Sequence, residues 1–433
     1  MRTMRTILLV GLVSMLLPSS LEAQEAQLLH RAQKAVTTVI VHDIFSPPVA
    51  SRIYLYSAVA AYEAACAGDT SLQSFGKGCR DFHPPRPSRG KVDTRFSSIY
   101  AMLYTSSRFV FSDSAMLDSL SAITSSFEQL TPAVRKASIE WARKVSDSVM
   151  AWSYKDNYAV TRKLKRYSLL KDTGAWIPTP PGYFAAVEPH WGKLRPVVIR
   201  SVDEYRPVSP MKFSIAKGSP FYQQALDVYE ASKKMSSNDS AVASFWDCNP
   251  FYLNTQGHLN FATKKLSPGG HWMSIAGVAC RKTNASFNVS LKAYLFTAVA
   301  LYDAFISCWD EKYRSNVIRP ETYINAYIDE SWRPLLQTPP FPEYTSGHSV
   351  ISASAASVLT AVFGEGFHFA DDTETAYGLP VRHFTSFREA AEEAAVSRFY
   401  GGIHYKEAIH NGIAQGSKIG KAVVSQLVTP LLK

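Results

Sequence analysis

The sequence predicts an all-α fold made of two packed helical bundles. Apolar residues recur at helical spacing through most of the chain, which is typical of helices that bury one face. A long stretch rich in proline and aromatic residues separates the helical segments into two groups, and no convincing strand pattern or short fixed repeat is found. The 433 residues, 46% of them hydrophobic, are ample for such a core.

In the first half, the apolar spacing predicts helices over 24–45, 50–67, 94–112, 115–129 and 132–155. The pair Pro47-Pro48 is expected to end the first helix, because proline cannot continue one. Thr131 followed by Pro132 predicts a helix start, since threonine caps an N-terminus and proline suits the first helical position.

From residue 167 to about 210, tryptophan, proline and glycine are too dense for a regular helix. A loop of this length is usually a packed and functional segment. Helices then resume over 218–234, 237–247, 270–281, 286–313, 349–363, 386–400 and 405–428. The predicted organisation is a leader 1–23, an N-terminal helical bundle 24–166, a connecting strap 167–215 and a C-terminal helical bundle 216–433.

The leader, residues 1–23, has the pattern of a secretory signal: two arginines, a short apolar run and a small residue before the expected cleavage at Gln24. Removing Arg2, Arg5 and Glu22 would lower the net charge from +10 to +9. The protein is therefore expected to be exported, periplasmic or secreted. No later apolar run is predicted to span a membrane, and the scattered Lys and Arg residues do not indicate a nucleic-acid groove.

The spacing of the five cysteines does not match a zinc-binding pattern. An oxidising compartment would permit a disulfide, and Cys66 and Cys79 are the closest pair in sequence. The odd number leaves at least one cysteine unpaired within the chain.

The stretch 341–349 is the first candidate for function. Pro342 disfavours helix, and small apolar residues at helical spacing follow His348, which predicts a loop that enters a helix. Helix N-termini attract anions, and Gly347 would let an oxyanion approach its N–H closely. Ser346 adds a hydroxyl and His348 a titratable imidazole. A helix cap beside a surface histidine would explain the same residues.

Three cations and a second histidine occur in the same third of the chain. Lys312 lies near the end of a long predicted helix, Arg319 precedes a proline, and Arg398 and His404 flank a helix end at a glycine pair. If the cations converge, they require an anion, because unpaired charges in a shielded site are too costly. Arginine and lysine suit the oxygens of a tetrahedral oxyanion. Taken singly, each cation could also be a solvated helix end.

The ordered motifs resemble the signature shared by vanadium-dependent haloperoxidases and type-2 phosphatidic-acid-phosphatase-like acid phosphatases. They are Lys312-x6-Arg319-Pro320, Ser346-Gly347-His348 and Ser397-Arg398-x5-His404, and they fall within the last 125 residues. The helical N-terminal half and the aromatic, proline-rich loop are similar to the bacterial haloperoxidase branch. Trp309 and Phe341 match aromatic positions of bacterial iodoperoxidases.

The resemblance implies vanadate as the cofactor, with phosphate able to occupy the site in its absence. His404 would coordinate the vanadium through an imidazole nitrogen. The residues implied to hold the oxygens, by charge or by hydrogen bonds, are Lys312, Arg319, Arg398, Ser346 and Gly347. His348 would act as the acid/base, Lys312 would also polarise the peroxide, and Trp309 and Phe341 would line the halide side.

Three functions are compatible with these residues. In a haloperoxidase, vanadate serves as a Lewis acid for the oxidation of halide by hydrogen peroxide, with iodide the most readily oxidised halide and bromide a further candidate. In a periplasmic acid phosphatase, His404 would attack phosphorus and His348 would protonate the leaving alcohol. A non-catalytic oxyanion-binding protein is the third. The haloperoxidase would take small-molecule substrates, hydrogen peroxide and halide, and the protein is expected to be a monomer or a small homo-oligomer.

One position departs from the family pattern. Many members have an aspartate four residues after the metal-side histidine, where it could orient the ring, and here that position is Ala408. Such partners fix the tautomer of a ligating histidine. Glu407 or a backbone carbonyl is the expected substitute. The spacing of His404, Glu407 and His410 does not stack on one helix face, which argues against a divalent metal site there.

Overall fold

The computed structural model describes residues 25–79, 81–86, 91–256, 259–262 and 264–432, so the predicted leader 1–23 lies outside the described residues. Helices make up most of this part of the chain, which confirms the all-α fold. The division into units at 24–166, 167–215 and 216–433 stays a prediction.

Six described helices precede the strap: α1 25–42, α2 Pro47–Ala65, α3 Thr94–Ser107, α4 Asp113–Thr124, α5 Pro132–Ser153 and α6 Tyr158–Thr161. The expected role of Pro47 and Pro48 is wrong in part. They occupy the first turn of α2. Backbone N–H groups in a first turn have no hydrogen-bond partner within the helix, so the N–H that proline lacks is not missed there. The helix start at Thr131 is confirmed, because its hydroxyl accepts the N–H of Val134.

The helices described after the strap are α7 Pro220–Lys233, α8 Ser237–Phe245, α9 Pro268–Lys282, α10 Phe287–Ser315, α11 Pro320–Tyr327, α12 Gly347–Phe363, α13 Phe387–Tyr400, α14 Lys406–Val423 and α15 Thr429–Leu432. Two antiparallel ladders also form, β1 Leu253–Gln256 with β2 Leu259–Ala262 and β3 Phe369–Asp371 with β4 Arg382–Phe384. The expectation of no strands is therefore wrong, since such short runs show no alternating pattern.

The strap is irregular but firmly attached. Its described residues include one 3-10 turn, Trp191–Lys193, and one bridge, between Ala175 and Val317. The buried Asp303 carboxylate on α10 accepts the backbone N–H groups of 197–199 at 2.7, 2.7 and 3.0 Å. Three bonds to one carboxylate satisfy buried donors that have no helix or strand partner. The strap is thereby fixed to the central helix.

Helix α10 connects the two groups of helices. It packs against α2 and α9 and against α12 and α14, and one hydrophobic core runs through all of them. By length and composition α10 could cross a membrane, contrary to the sequence expectation, but 94% of its most apolar window is buried inside the protein. That burial is what the central helix of a bundle shows.

Helices α12 and α14 make an unusually close contact beside the C-terminal motifs. A Cβ added to Gly416 would lie 2.0 Å from the carbonyl oxygen of Val350. Gly412 and Gly420, four residues away in each direction, approach α12 to 2.8 and 2.7 Å by the same measure. The missing side chains therefore let α14 lie directly on α12, which fixes the N-terminus of α12 against the start of α14.

We expect Gly416→Ala to destabilise the fold strongly, because the new methyl group collides with backbone that cannot move without separating the two helices. The free energy of unfolding should fall by about 3 kcal/mol or more, measured by urea denaturation. Gly269→Ala in α9 is the matched control, since its Cβ would meet only side chains at 3.7 and 3.8 Å. A loss no larger than in that control would contradict the close contact.

Candidate oxyanion-binding active site

The structure gathers the predicted site residues around one cavity. Six of the nine predicted residues line it: Trp309, Phe341, Gly347, His348, Arg398 and His404. The other three, Lys312, Arg319 and Ser346, lie directly behind this wall and are fully buried. Residues separated by almost a hundred positions in sequence therefore meet at one place.

Four elements carry these side chains. Lys312 lies in the last turn of α10, and Arg319 is the residue before α11. The loop 341–346 leads into the N-terminus of α12. Arg398 lies in the last turn of α13, and His404 follows in the short connection to α14. Helix ends and their loops build the site, where backbone groups are available for polar contacts.

The tautomer of His404 follows from its two neighbours. Nη1 of Arg319 lies 3.1 Å from Nε2 of His404, and because arginine can only donate, Nε2 must accept. Nδ1 lies 2.8 Å from Oε1 of Glu343, so Nδ1 carries the ring proton and donates it to the carboxylate. His404 is then neutral with a lone pair on Nε2, which is the form that coordinates a metal.

Arg319 holds the loops on both sides of the cavity. Its Nε donates to the Phe341 carbonyl and its Nη1 to the Ile403 carbonyl, both at 2.9 Å. Its Nη2 is buried and has no hydrogen-bond partner among the described residues. A buried guanidinium with an unused donor is suited to an anion.

Lys312 lies behind the cavity wall and holds the loop. Its ammonium group donates to the carbonyls of Pro342, Glu343 and Thr345 at 3.0, 3.0 and 2.6 Å. These bonds use all three of its donors. A contact between Lys312 and an oxyanion would therefore require one of these bonds to be released.

Ser346 and Arg398 are also engaged with neighbouring groups. The Ser346 hydroxyl accepts the Ser349 N–H at 3.4 Å and so caps α12. Arg398 donates from Nε to Ser397 Oγ at 3.0 Å and from Nη2 to the Ala243 carbonyl at 3.3 Å. Gly347 lines the cavity, and a Cβ there would lie 3.6 Å from the Trp309 ring.

His348 is placed as a neutral base. One side of its ring hydrogen-bonds the backbone of Trp246, and Nε2 is buried without a partner in the described structure. Burial, with the positive charge of Arg398, lowers the pKa of His348 well below its usual value. A neutral imidazole with an uncommitted nitrogen can accept a proton.

The electrostatics of the site favour an anion. Burial lowers the pKa of Lys312 to about 7 and that of Arg319 to about 10, and it also lowers the pKa of Arg398. Burial and the neighbouring Arg319 lower the pKa of His404 as well. Burial is the largest cause of each shift, because it disfavours a charged group. A tetrahedral oxyanion bound beside these residues would supply negative charge that stabilises their charged forms. The unused Arg319 and His348 nitrogens provide the donors and base that fit such a group.

Aromatic rings close the cavity beside the cations. Trp309 and Phe341 pack with ring centroids 4.9 Å apart, and the Lys312 ammonium lies 5.1 Å from the Phe341 centroid. The Trp309 indole donates to the Val187 carbonyl at 3.2 Å, and the Tyr313 hydroxyl donates to the same atom at 2.6 Å. The strap thus holds one wall of the site.

Sequence reasoning missed Glu343. It lies in the loop 341–346, is buried, and accepts both His404 Nδ1 and the backbone N–H of Tyr405 at 2.9 Å. The expected substitutes for an aspartate at Ala408 are wrong, because Glu407 accepts the Met211 N–H instead. A carboxylate three residues before Ser346 was the available signal, but its partner is 61 positions away in sequence.

The fold and site together define a class of protein, all-helical enzymes that bind a tetrahedral oxyanion between buried cations and a neutral histidine. Residues 292–431 match the family model described as the VCPO second helical-bundle domain. A crystal structure of a bacterial vanadium-dependent iodoperoxidase is 45% identical, with a TM-score of 0.88, and the match covers 93% of this chain and 96% of that one. The chain belongs to the vanadium-dependent haloperoxidases.

Two structures of a bacterial vanadium-dependent chloroperoxidase, one holo and one apo, share the fold at 14% identity, each with a TM-score of 0.68. The matches cover 90% and 89% of this chain and 94% and 95% of those chains, respectively. Comparison with curated proteins gives no match. Membership of the family implies vanadate as the cofactor and small-molecule substrates.

We expect Glu343→Gln to weaken vanadate binding by about 10- to 100-fold, because a neutral amide holds the His404 ring proton less firmly than a carboxylate. Equilibrium dialysis with vanadium analysis measures the affinity. Glu407→Gln removes the same charge nearby without touching His404, and its affinity should equal that of the unmodified protein. Equal affinities in both variants would contradict the positioning role of Glu343.

Proposed function

We propose that this protein uses bound vanadate to oxidise iodide with hydrogen peroxide. The observation that carries the proposal is His404, a neutral histidine whose Nε2 lone pair lies among buried cations. The 45% sequence identity between this chain and a structure named as an iodoperoxidase supports the choice of halide. Iodide is also the halide that gives up electrons most easily, and bromide is the next to test.

The proposed contacts of vanadate use the residues that line and back the cavity. His404 Nε2 would coordinate the metal once Arg319 Nη1 releases the hydrogen bond that it donates to this nitrogen. The hydroxyl of Ser346 and the N–H of Gly347 would hydrogen-bond the vanadate oxygens. Arg319 would donate from its unused Nη2. Arg398 and Lys312 would balance the negative charge. The same groups would donate hydrogen bonds to phosphate, another tetrahedral oxyanion, when vanadate is absent.

When bound, vanadate supplies a Lewis acid that activates hydrogen peroxide without a change in its own oxidation state. The chain's own contribution is to handle protons and exclude water. Nε2 of His348 would take a proton from hydrogen peroxide, because burial keeps this ring neutral before the reaction. Glu343 would keep the ring proton of His404 on Nδ1. Neither histidine then needs to exchange protons with bulk water during the step.

The aromatic wall is the proposed side of halide entry. Trp309 and Phe341 line the cavity with Phe251 and Phe305, so a halide would lose much of its water on entering. Iodide is the largest and most weakly hydrated of the common halides, and polarisable rings suit it. This preference is a proposal about selectivity, separate from the oxyanion contacts.

We expect triiodide formation from iodide and hydrogen peroxide to depend on vanadate loading and to be lost in His404→Ala. His348→Ala should lower the rate while retaining vanadium, because it removes a base rather than the metal ligand. Absorbance of triiodide gives the rate, and mass spectrometry gives the vanadium content. His410→Ala, an exposed histidine on α14, is the control and should behave as the unmodified protein.

A parallel assay with an aryl phosphate separates the phosphatase alternative. Release of phosphate without vanadate, blocked by vanadate and without any halide oxidation, would overturn the proposal. Bound vanadate with no turnover of either substrate would favour a binding protein and would contradict the proposed role of His348 as a base.

We also propose that the mature protein is exported, on the basis of the leader sequence. Expressed at full length in a Gram-negative host, it should be recovered from the periplasm with Gln24 as its first residue, determined by N-terminal sequencing. A chain that starts with methionine before Gln24 should stay in the cytoplasm. Uncleaved full-length protein in the cytoplasm would contradict export. A monomer or small homo-oligomer stays a prediction.

A further inference from the structure

A second polar cluster, apart from the oxyanion contacts, reaches the cavity wall through Cys248. Cys248 follows α8, His271 lies in the first turn of α9, and Glu374 lies in the connection between β3 and β4. Their exposed fractions are 3%, 0% and 6%. The proposed haloperoxidase chemistry uses none of them. Buried thiol, imidazole and carboxylate groups at one point need an explanation, because each is costly to bury alone.

The three donor atoms have the spacing of metal ligands. Cys248 Sγ lies 3.5 Å from His271 Nδ1 and 3.9 Å from Glu374 Oε1, and Nδ1 lies 3.1 Å from Oε1. Zinc bonds of about 2.3 Å to sulfur and about 2.0–2.2 Å to nitrogen and oxygen place tetrahedral ligands roughly 3.3–3.6 Å apart. The observed distances lie close to this range. An ion could enter with small side-chain movements.

The opposite nitrogen of His271 is already fixed by other groups. Nε2 lies 2.8 Å from Oδ2 of the fully buried Asp371 and 2.7 Å from the Thr373 hydroxyl. The Trp246 ring stacks on the imidazole with centroids 4.5 Å apart. A carboxylate on the far nitrogen is the arrangement that orients metal-binding histidines and makes them better ligands. The cluster therefore has both the ligands and the supporting contact of a metal centre.

We propose that Cys248, His271 and Glu374 bind a divalent transition-metal ion, with zinc the first to test. The three side chains leave a fourth position for water. Binding requires the Cys248 thiol to become a thiolate and His271 Nδ1 to offer its lone pair, so the ion displaces protons from these two atoms. This site is distinct from the vanadate site and does not depend on the halide chemistry.

The competing state has no ion. Burial opposes a charge on His271, but Asp371 and Glu374 together hold its pKa well above the usual value. In that state an imidazolium lies between two carboxylates, and Cys248 stays a thiol whose pKa is raised by burial. The two states differ in one observable feature, the presence of a bond between a metal and the Cys248 sulfur.

The proposed ion has a structural consequence for the active site. Asp247, Cys248, Asn249 and Phe251 all line the cavity, in a segment without helix or strand between α8 and β1. The ion would join this segment to α9 and to the β3–β4 connection. Such a link would hold the part of the cavity wall formed by this segment, whereas the strap holds the part formed by Trp309.

Cobalt binding to the full-length, vanadate-loaded protein tests the proposal. Vanadium(V) has no d electrons and therefore no ligand-field bands, so those of cobalt can be read directly. The sulfur-to-cobalt charge-transfer band is read as the difference between the spectra of the vanadate-loaded protein with and without cobalt, because vanadate itself absorbs in the near ultraviolet. We expect the unmodified protein to bind one Co²⁺ per chain with a thiolate charge-transfer band, and Zn²⁺ to displace it. Cys248→Ser should lose that band, and Asp371→Asn should keep it with about 10- to 100-fold weaker affinity.

Cys280→Ser is the matched control, because Cys280 is a buried cysteine on the same helix as His271. Its cobalt spectrum and affinity should equal those of the unmodified protein. The proposal is overturned if the unmodified protein shows no thiolate band, or if Cys248→Ser binds cobalt with unchanged spectrum and affinity. Should Cys248→Ser fail to fold, an unchanged affinity in Asp371→Asn would overturn it. Vanadium content and iodide oxidation are measured separately, so failure here leaves the proposed function untouched.

Discussion

Burial of three positive charges at one point is the constraint on which the rest of the site depends. Lys312, Arg319 and Arg398 are each almost completely buried, and like charges in such a place repel strongly. The fold stabilises them with backbone carbonyls: three on Lys312, two on Arg319 and one on Arg398. Carbonyl dipoles reduce the cost of each cation without neutralising it. The loops are therefore shaped around the cations, and the remaining positive charge is what attracts an oxyanion.

Helix α10 makes this concentration of charge possible. Its length brings Lys312 at one end of a deeply buried segment to the start of α12, while Asp303 on the same helix fixes the strap. The strap in turn supplies the Val187 carbonyl to Trp309. One rigid helix thus sets the positions of Lys312, of the aromatic wall and of the strap. A site supported in this way does not need its loops to be rigid by themselves.

The order and spacing of the three motifs predicted which residues meet at the site, because the motifs match a known family signature even though they lie far apart in the sequence. It could not predict Glu343, whose only sequence signal is one carboxylate in a loop, or the carbonyl partners of Lys312, which have no side-chain signature. Helix existence was predicted well, but Pro47 was misplaced because proline both ends and begins helices. The cluster at Cys248 could not be predicted for a related reason: its three residues are separated by 23 and 103 positions.

The departure at Ala408 has a physical explanation in the packing of α14. Ala408 precedes Gly412, Gly416 and Gly420 at four-residue spacing, and these three glycines face α12. Ala408 is fully buried, and its carbonyl accepts the Ser346 N–H at 3.0 Å. Ala408 belongs to the same buried cluster as Tyr344 of the loop 341–346, so a longer side chain there would have to displace closely packed neighbours. The carboxylate that orients His404 is therefore Glu343, which lies in the loop 341–346. The fold thus keeps the close contact between α12 and α14 and still fixes the tautomer of His404.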